Sequence, residues 1–435
     1  MNTRSLPPDD SLRAELHDEL HARPPARIRV PALVTYVAVL NDGVSREAEW
    51  QHLRRLPGQQ DLSAESLNGL FVRLRLGDHT LKWERHTEYT SYALVQALPQ
   101  PTLQSLQQQE LPPVAVGHNW LAAIPGRTMA AVQLALMEGS LDDPHAALSQ
   151  GRNWFTGHEV VASLMGGGHS CVVTDFFRNP DGFERMLVIA PPGTTATRAG
   201  RISGRLLELE TYRLMALRGL PVAKALGPVL GDAERTLAEI TAKLEDESTS
   251  DRDLLDRLTS LAARVERATA ENGYRFSATS AYDAIMRQRT AELREKPIPG
   301  TQTISEYMQR RLSPAIATVL STAQRLSSLS QRIERAGALL RTRVDIATEE
   351  QNRQLLEKLT RGQDMQLHLQ TTVEGLSIAA ISYYVVSLLL YAAKGAQKAG
   401  APINPELAAG LSIPLVLWAA WRTVRRIHEK LHHGG

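Results

Sequence analysis

Apolar positions in the last third of the chain recur with a period of seven. From Leu312, every seventh residue gives Val319, Leu326, Ile333, Leu340 and Ala347, and a companion column holds Ile316, Ala323, Ser330, Gly337 and Val344. A repeat of this kind keeps one seam of a helix turned toward a partner helix, as in a coiled coil. The pattern therefore predicts a long stalk helix, with Leu326, Ile333, Leu340 and Val344 as an oligomer seam. Thr303 and Glu306 read as a capping box at its start, and Pro314 as a kink or the true first turn. The stripe then gives way to an apolar run, Val373 to Ala393, whose only charge is Glu374. A helix crossing a hydrocarbon core of about 30 Å needs roughly 20 residues, and this run supplies them. A second run, Pro405 to Val424, opens on Asn404 as N-cap with Pro405 and Glu406 in the first turn. Trp418 and Trp421, followed by Arg422, Arg425 and Arg426, form the aromatic belt and basic flank of a membrane interface. The expected element is a two-helix transmembrane hairpin, with Pro414 tolerated inside its second span.

The first half alternates instead. Arg27 to Leu40 is a predicted strand, and Leu70 to Leu76 and Thr80 to Arg85 flank the hairpin signal Gly77-Asp78. Thr128 to Met137 and Val160 to Leu164 are further strands, and Ser170 to Phe177 with Phe183 to Ala190 make a hairpin across Asn179-Pro180-Asp181-Gly182. The glutamine-rich stretch from Gln100 to Pro113 reads as a linker or surface loop. From Thr195 onward the period is helical. Leu206, Leu209, Leu214 and Leu217 begin it, Leu254, Leu258, Leu261 and Val265 resume it after an acidic break, and Tyr274 to Glu295 close it before Lys296-Pro297. The fold class is α+β: a mixed sheet and helix domain over 1–194, a helical region over 195–302, a stalk over 303–372, a membrane hairpin over 373–425 and a basic tail over 426–435.

Charge and cysteine usage sharpen the setting. The chain has 49 basic and 47 acidic residues, a formal net charge of +2, which supplies no global field for nucleic acid. Its mean hydropathy is slightly negative, as expected of a soluble body on a small anchor. Basic residues are denser in the tail (Arg422, Arg425, Arg426, Lys430) than in the connecting loop (Lys394, Lys398). The positive-inside bias then places both termini in the cytoplasm. Met1 to Asp10 has no apolar segment of the secretory kind, and a single cysteine, Cys171, suits a reducing compartment. The expected location is the bacterial inner membrane.

Candidate chemistry is sparse. His17 and His21 lie one turn apart, but Asp18 holds the place of the glutamate that follows the first histidine in zinc proteases. Alternation over Trp83 to Tyr92 puts Glu84, His86 and Glu88 on one face. Such a row suits a divalent cation or a proton relay, and equally the solvated face of an antiparallel sheet. Gly166-Gly167-Gly168-His169 lacks the Gly-Lys-Ser/Thr of a phosphate loop and reads as a tight turn. Cys171 reads as a small core residue. No cofactor is implied, and the expectation is a non-enzymatic protein.

Several strings carry a resemblance. Glu19-Leu20-His21-Ala22-Arg23-Pro24, Trp83-Glu84-Arg85-His86-Thr87-Glu88, Glu208-Leu209-Glu210-Thr211-Tyr212-Arg213 and Gln370-Thr371-Thr372-Val373-Glu374-Gly375-Leu376-Ser377 stand among them. With these the chain resembles a bacterial family of uncharacterised membrane-anchored proteins, and the resemblance spans nearly its whole length. It implies location and architecture, with a self-associating scaffold or partner-binding protein as the expected function. In plan the chain is also similar to CorA-type magnesium transporters, in which oligomers of the first span build a divalent-cation pore. Pro405-Glu406-Leu407 is similar to their connecting loop, whereas Ala392-Ala393-Lys394 stands where their Gly-Met-Asn signature would follow. Ser377, Ser382, Tyr383, Tyr384 and Ser387 are the polar groups the first span offers to a pore axis or to helix packing.

Overall fold

The computed structural model describes residues 9–13, 16–17, 26–67, 69–98, 111–155, 157–244, 250–400, 402 and 404–432. The chain divides into two compact units, Met1–Ala336 and Gly337–Gly435. The first is built on nine strands: β1 (Ala32–Leu40), β2 (Phe71–Leu76), β3 (His79–Arg85), β4 (Tyr89–Ala97), β5 (Arg127–Glu138), β6 (Val161–Met165), β7 (Ser170–Thr174), β8 (Glu184–Ala190) and β9 (Lys296–Pro297). They form one mixed sheet in the order β2-β3-β4-β1-β5-β8-β7-β6-β9, antiparallel except for the β5–β8 pair. The fold is α+β.

β1 explains the centre of the sheet. All nine of its residues are buried, which is why ALVTYVAVL reads as a continuous apolar run. Ala32, Val34, Tyr36, Ala38 and Leu40 point to one core, packed with Leu206, Leu209 and Met215. Leu33, Val37 and Val39 point to the opposite face. That face is covered by α1 (Arg46–Leu53), α2 (His118–Ala122) and α3 (Pro144–Arg152), through Leu53, Trp120, Ala147 and Leu148. Short helices at 46–53 and 144–152 carry no sustained apolar period, and periodicity alone passes over them.

The β2–β3 hairpin forms as expected, with Leu76 paired to His79 across Gly77-Asp78 and Gly77 at φ 62°. Positive φ at Gly77 but not at Asp78 is the II′ arrangement, whose twist matches that of the strands. β1 is shorter than expected and begins at Ala32, and β7 ends at Thr174, before the loop that holds Phe176 at φ 51°.

The helical layer contains α4 (Ala196–Leu217), α5 (Gly219–Lys243), α6 (Asp251–Glu292) and α7 (Ile304–Arg311). Gly200 sits where α4 crosses the chain before β1. A Cβ added there would lie 1.6 Å from the carbonyl oxygen of Ala26, so no side chain fits. The capping box of Thr303 and Glu306 is present, but it starts α7. The long helix α8 (Ser313–Lys398, 86 residues) begins afterwards, with Pro314 in its first turn, where a missing N–H costs nothing.

α8 requires a correction to the expected seam. Leu326 and Ile333 are 2% and 6% exposed within a single chain, so they do not offer a free surface to another subunit. The first unit supplies their partners. α6 and α8 line a common groove, Arg325 of α8 pairs with Glu234 of α5 at 2.9 Å, and Val319 of α8 and Thr279 of α6 both crowd Gly219 at the start of α5. Within the single chain, the Leu326 and Ile333 side of the heptad therefore faces the chain's own helices. Leu340 is also buried and Val344 half-buried.

The second unit comprises the rest of α8 and α9 (Pro405–His432). Asn404 accepts from the Glu406 amide at 3.2 Å, as an N-cap should. Three stretches are long and apolar enough to cross a membrane, by length and composition: Ala196–Lys243, Ser313–Lys398 and Pro405–Val424. Of their most apolar windows, 33% is buried in the first case and 6% in each of the others. A third of the window over α4 and α5 is buried, whereas the apolar window of α8 and that of α9 are almost wholly exposed.

Candidate binding groove beside the β3–β4 turn

The run from Trp83 to Tyr92 is two strands and a turn. β3 ends at Arg85, His86 donates its amide to the Tyr89 carbonyl at 2.8 Å, and β4 begins. The expected single face of Glu84, His86 and Glu88 is therefore broken at the turn, because a hairpin reverses the alternation. Glu84 remains in β3, paired with Lys82 at 2.8 Å. Glu88, in the turn, is gripped by Arg275 of α6, with Arg218 at 3.9 Å. The imidazole of His86 stacks on Tyr89 with ring centroids 4.3 Å apart. No group of three histidine, cysteine or acidic side chains among the described residues is placed to hold a metal ion. His17 is exposed, and its partner His21 lies outside the described residues.

Buried polar groups fix the turn from behind. Asn41 donates from Nδ2 to the His86 carbonyl at 2.9 Å, and its own amide donates to the Glu88 carbonyl at 3.2 Å. Glu49 of α1, fully buried, accepts from Thr90 at 2.6 Å and from Arg85 at 2.5 Å, while Arg85 also donates to the Val44 carbonyl at 2.9 Å. A buried carboxylate is tolerable only when paired and hydrogen-bonded in this way. Beside the turn lies a groove of about 810 Å³, lined by Arg46, His86, Thr87, Glu88, Tyr89, Tyr212, Tyr274 and Tyr282 with small residues of α6.

The motif Glu208 to Arg213 on α4 is the polar spine between helices and sheet. Thr211 hydrogen-bonds Tyr36 of β1 at 2.9 Å, and Tyr212 stacks on Tyr282 at 5.9 Å. Glu208 pairs with Arg289 at 2.6 Å. Arg213 binds Glu210 and reaches Glu184 of β8 at 3.3 Å, and its guanidinium lies over Phe176 at 5.3 Å. One arginine faces two buried carboxylates, so burial and the Glu210 charge push the Glu184 carboxyl far up and keep a proton on it. Burial likewise raises the phenols of Tyr89, Tyr212 and Tyr282, with the Glu88 carboxylate adding to the last, so the groove presents neutral hydroxyls. Burial and Arg275 draw the Arg218 guanidinium down.

Phenols, an imidazole and arginines held in place suit recognition by stacking and hydrogen bonding. The glycine turn offers no second cradle. The amides of Gly166, Gly167, Gly168 and His169 all donate to backbone carbonyls, two of them to Leu293 and Arg294. Cys171 is buried in the core, its thiol pushed up to about 12 by burial. Arg275, Tyr274 and Tyr282 went unread in the sequence, because the Arg275–Glu88 pair joins positions 187 residues apart.

The remaining expected sites lie in the second unit. Trp418 and Trp421 are about half exposed, and Arg422 covers the Trp418 ring at 4.9 Å. Arg425 and Arg426 follow on α9. In α8, Ser382 is buried while Tyr383 and Tyr384 are exposed. No curated protein matches the chain. A family described as "Protein of unknown function (DUF3422)" matches residues 8–431. With nearly its whole length covered, including both polar motifs just described, the chain belongs to that family.

Proposed function

We propose that this protein is a non-enzymatic scaffold of the bacterial inner membrane, anchored by residues 373–424 and self-associating, whose body recognises a partner in the cytoplasm. One observation carries the reading: the apolar window of α8 is 6% buried, while the window of comparable length over α4 and α5 is 33% buried inside the body. Side chains such as Leu376, Ile381, Leu388 and Leu415, 48–68% exposed, would each cost about 1.5–3 kcal/mol in water relative to burial. A hydrocarbon core removes that cost. The aromatic and basic end of α9, with Arg422 over Trp418, has the chemistry of an interface, and the denser positive charge beyond it favours a cytoplasmic tail.

Labelling with a membrane-impermeant maleimide tests the topology. The native Cys171 is 0% exposed and contributes little background. Ala399→Cys, between the two helices, should react in intact spheroplasts, and Lys430→Cys only after lysis. Reaction of Lys430→Cys in intact spheroplasts, or of neither before lysis, would count against the hairpin.

A further inference from the structure

Beyond Val344 the register of α8 changes. Continuing the first seam would bring Gln351, Gln354, Lys358 and Arg361 inward, but a new column begins with Thr348 and Asn352. From there, steps of three and four residues reach Leu355, Leu359, Gly362, Gln366, Leu369, Val373 and Leu376. Such a change is what inserting a single residue into a heptad pattern produces, the frame moving on by one position. The leucines and valine of this column, Leu355, Leu359, Leu369, Val373 and Leu376, are 56–68% exposed. The charges are sorted away from it. Arg353, Glu357, Arg361, Asp364 and Glu374 all fall on the outer positions b, c and f, and Arg353 pairs there with Glu350 at 3.0 Å. Lys358 alone among the charges of 353–374 flanks the column.

The composition of the column selects its occupant. Leucine recurs at d, while Asn352 and Gln366 stand at a. A polar amide at a is satisfied best by the same amide of an identical helix, and it fixes two strands in one register. The flanking positions are matched too, since Lys358 at g would meet Gln363 at e of an identical neighbour without like-charge repulsion. The same register continues through Ala380 and Tyr383, both exposed. We infer that residues 348–376 of α8 pair with the same residues of a second copy of this chain, parallel and in register. The parallel sense rests on the membrane reading, because two copies anchored alike in one bilayer point the same way.

Cysteine crosslinking in native membranes reads this directly. Leu355→Cys and Leu369→Cys lie at d, and Glu357→Cys and Asp364→Cys at f, all on exposed positions whose change leaves the body intact. On oxidation the d variants should gain a covalent dimer band and the f variants should not. Equal yields at d and f, or none at d, would overturn the pairing. Crosslinks between differently tagged Leu355→Cys and Leu369→Cys chains would overturn the parallel register. An alkaline carbonate wash separates the two claims. Protein that pellets but does not crosslink sinks the seam alone, and protein that is released yet still crosslinks at d sinks the anchor alone.

Discussion

His52 shows how a single residue can report on the fold. It is 2% exposed, stacked on Trp120 at 4.2 Å and edge-on to Tyr92 at 6.1 Å, and neither ring nitrogen has a hydrogen-bond partner among the described residues. Burial and Arg55 lower its imidazole from 6.5 to about 4. Below its ordinary value the unfolded chain takes up a proton that the folded chain refuses, so stability falls as pH drops from about 6.5 and levels off near 4. The loss should reach about 3 kcal/mol. Urea unfolding of the detergent-solubilised chain between these limits should show it, and His52→Phe should flatten the profile. An unchanged profile would place the titrating group elsewhere. Residues of this kind were hard to read from sequence. Trp83 to Glu88 stood out as a motif, yet the role of Arg85 depends on Glu49 and that of Glu88 on Arg275, partners that only the folded chain brings near.

Elements were legible where a period persisted and ambiguous where only its partner mattered. The β2–β3 hairpin, β5, the capping box and the apolar runs all followed from local pattern. The β3–β4 turn was missed because Glu84 to Glu88 alternates as well as any strand. The stalk heptad was real, but period seven says only that a seam is buried. In the first unit the chain's own α5 and α6 meet it. Ile333→Asp should therefore damage the body itself, lowering stability by several kcal/mol because a charge is buried without a partner. Leu369→Asp, on the exposed stretch, should leave thermal unfolding of the body unchanged while abolishing covalent dimer formation by Leu355→Cys. If the two substitutions unfold the body equally, the division of α8 into an inward seam and an outward one is wrong.

At the scale of the molecule, the sequence separates a body that spends its apolar residues on itself from two C-terminal helical stretches that do not. In the body, β1 is buried on both faces, and even the apolar stretch of α4 and α5 is used against the sheet and neighbouring helices. In the end of α8 and in α9, Leu376, Leu388, Leu411 and Leu415 are each about two-thirds exposed or more. This one-sided pattern is what supports the proposed bilayer setting. Extraction of native membranes with alkaline carbonate tests that setting most directly. The intact protein should remain in the membrane pellet, and removal of residues 373–435 should release the remainder to the supernatant. Full-length protein appearing in the supernatant would contradict a bilayer-embedded hairpin.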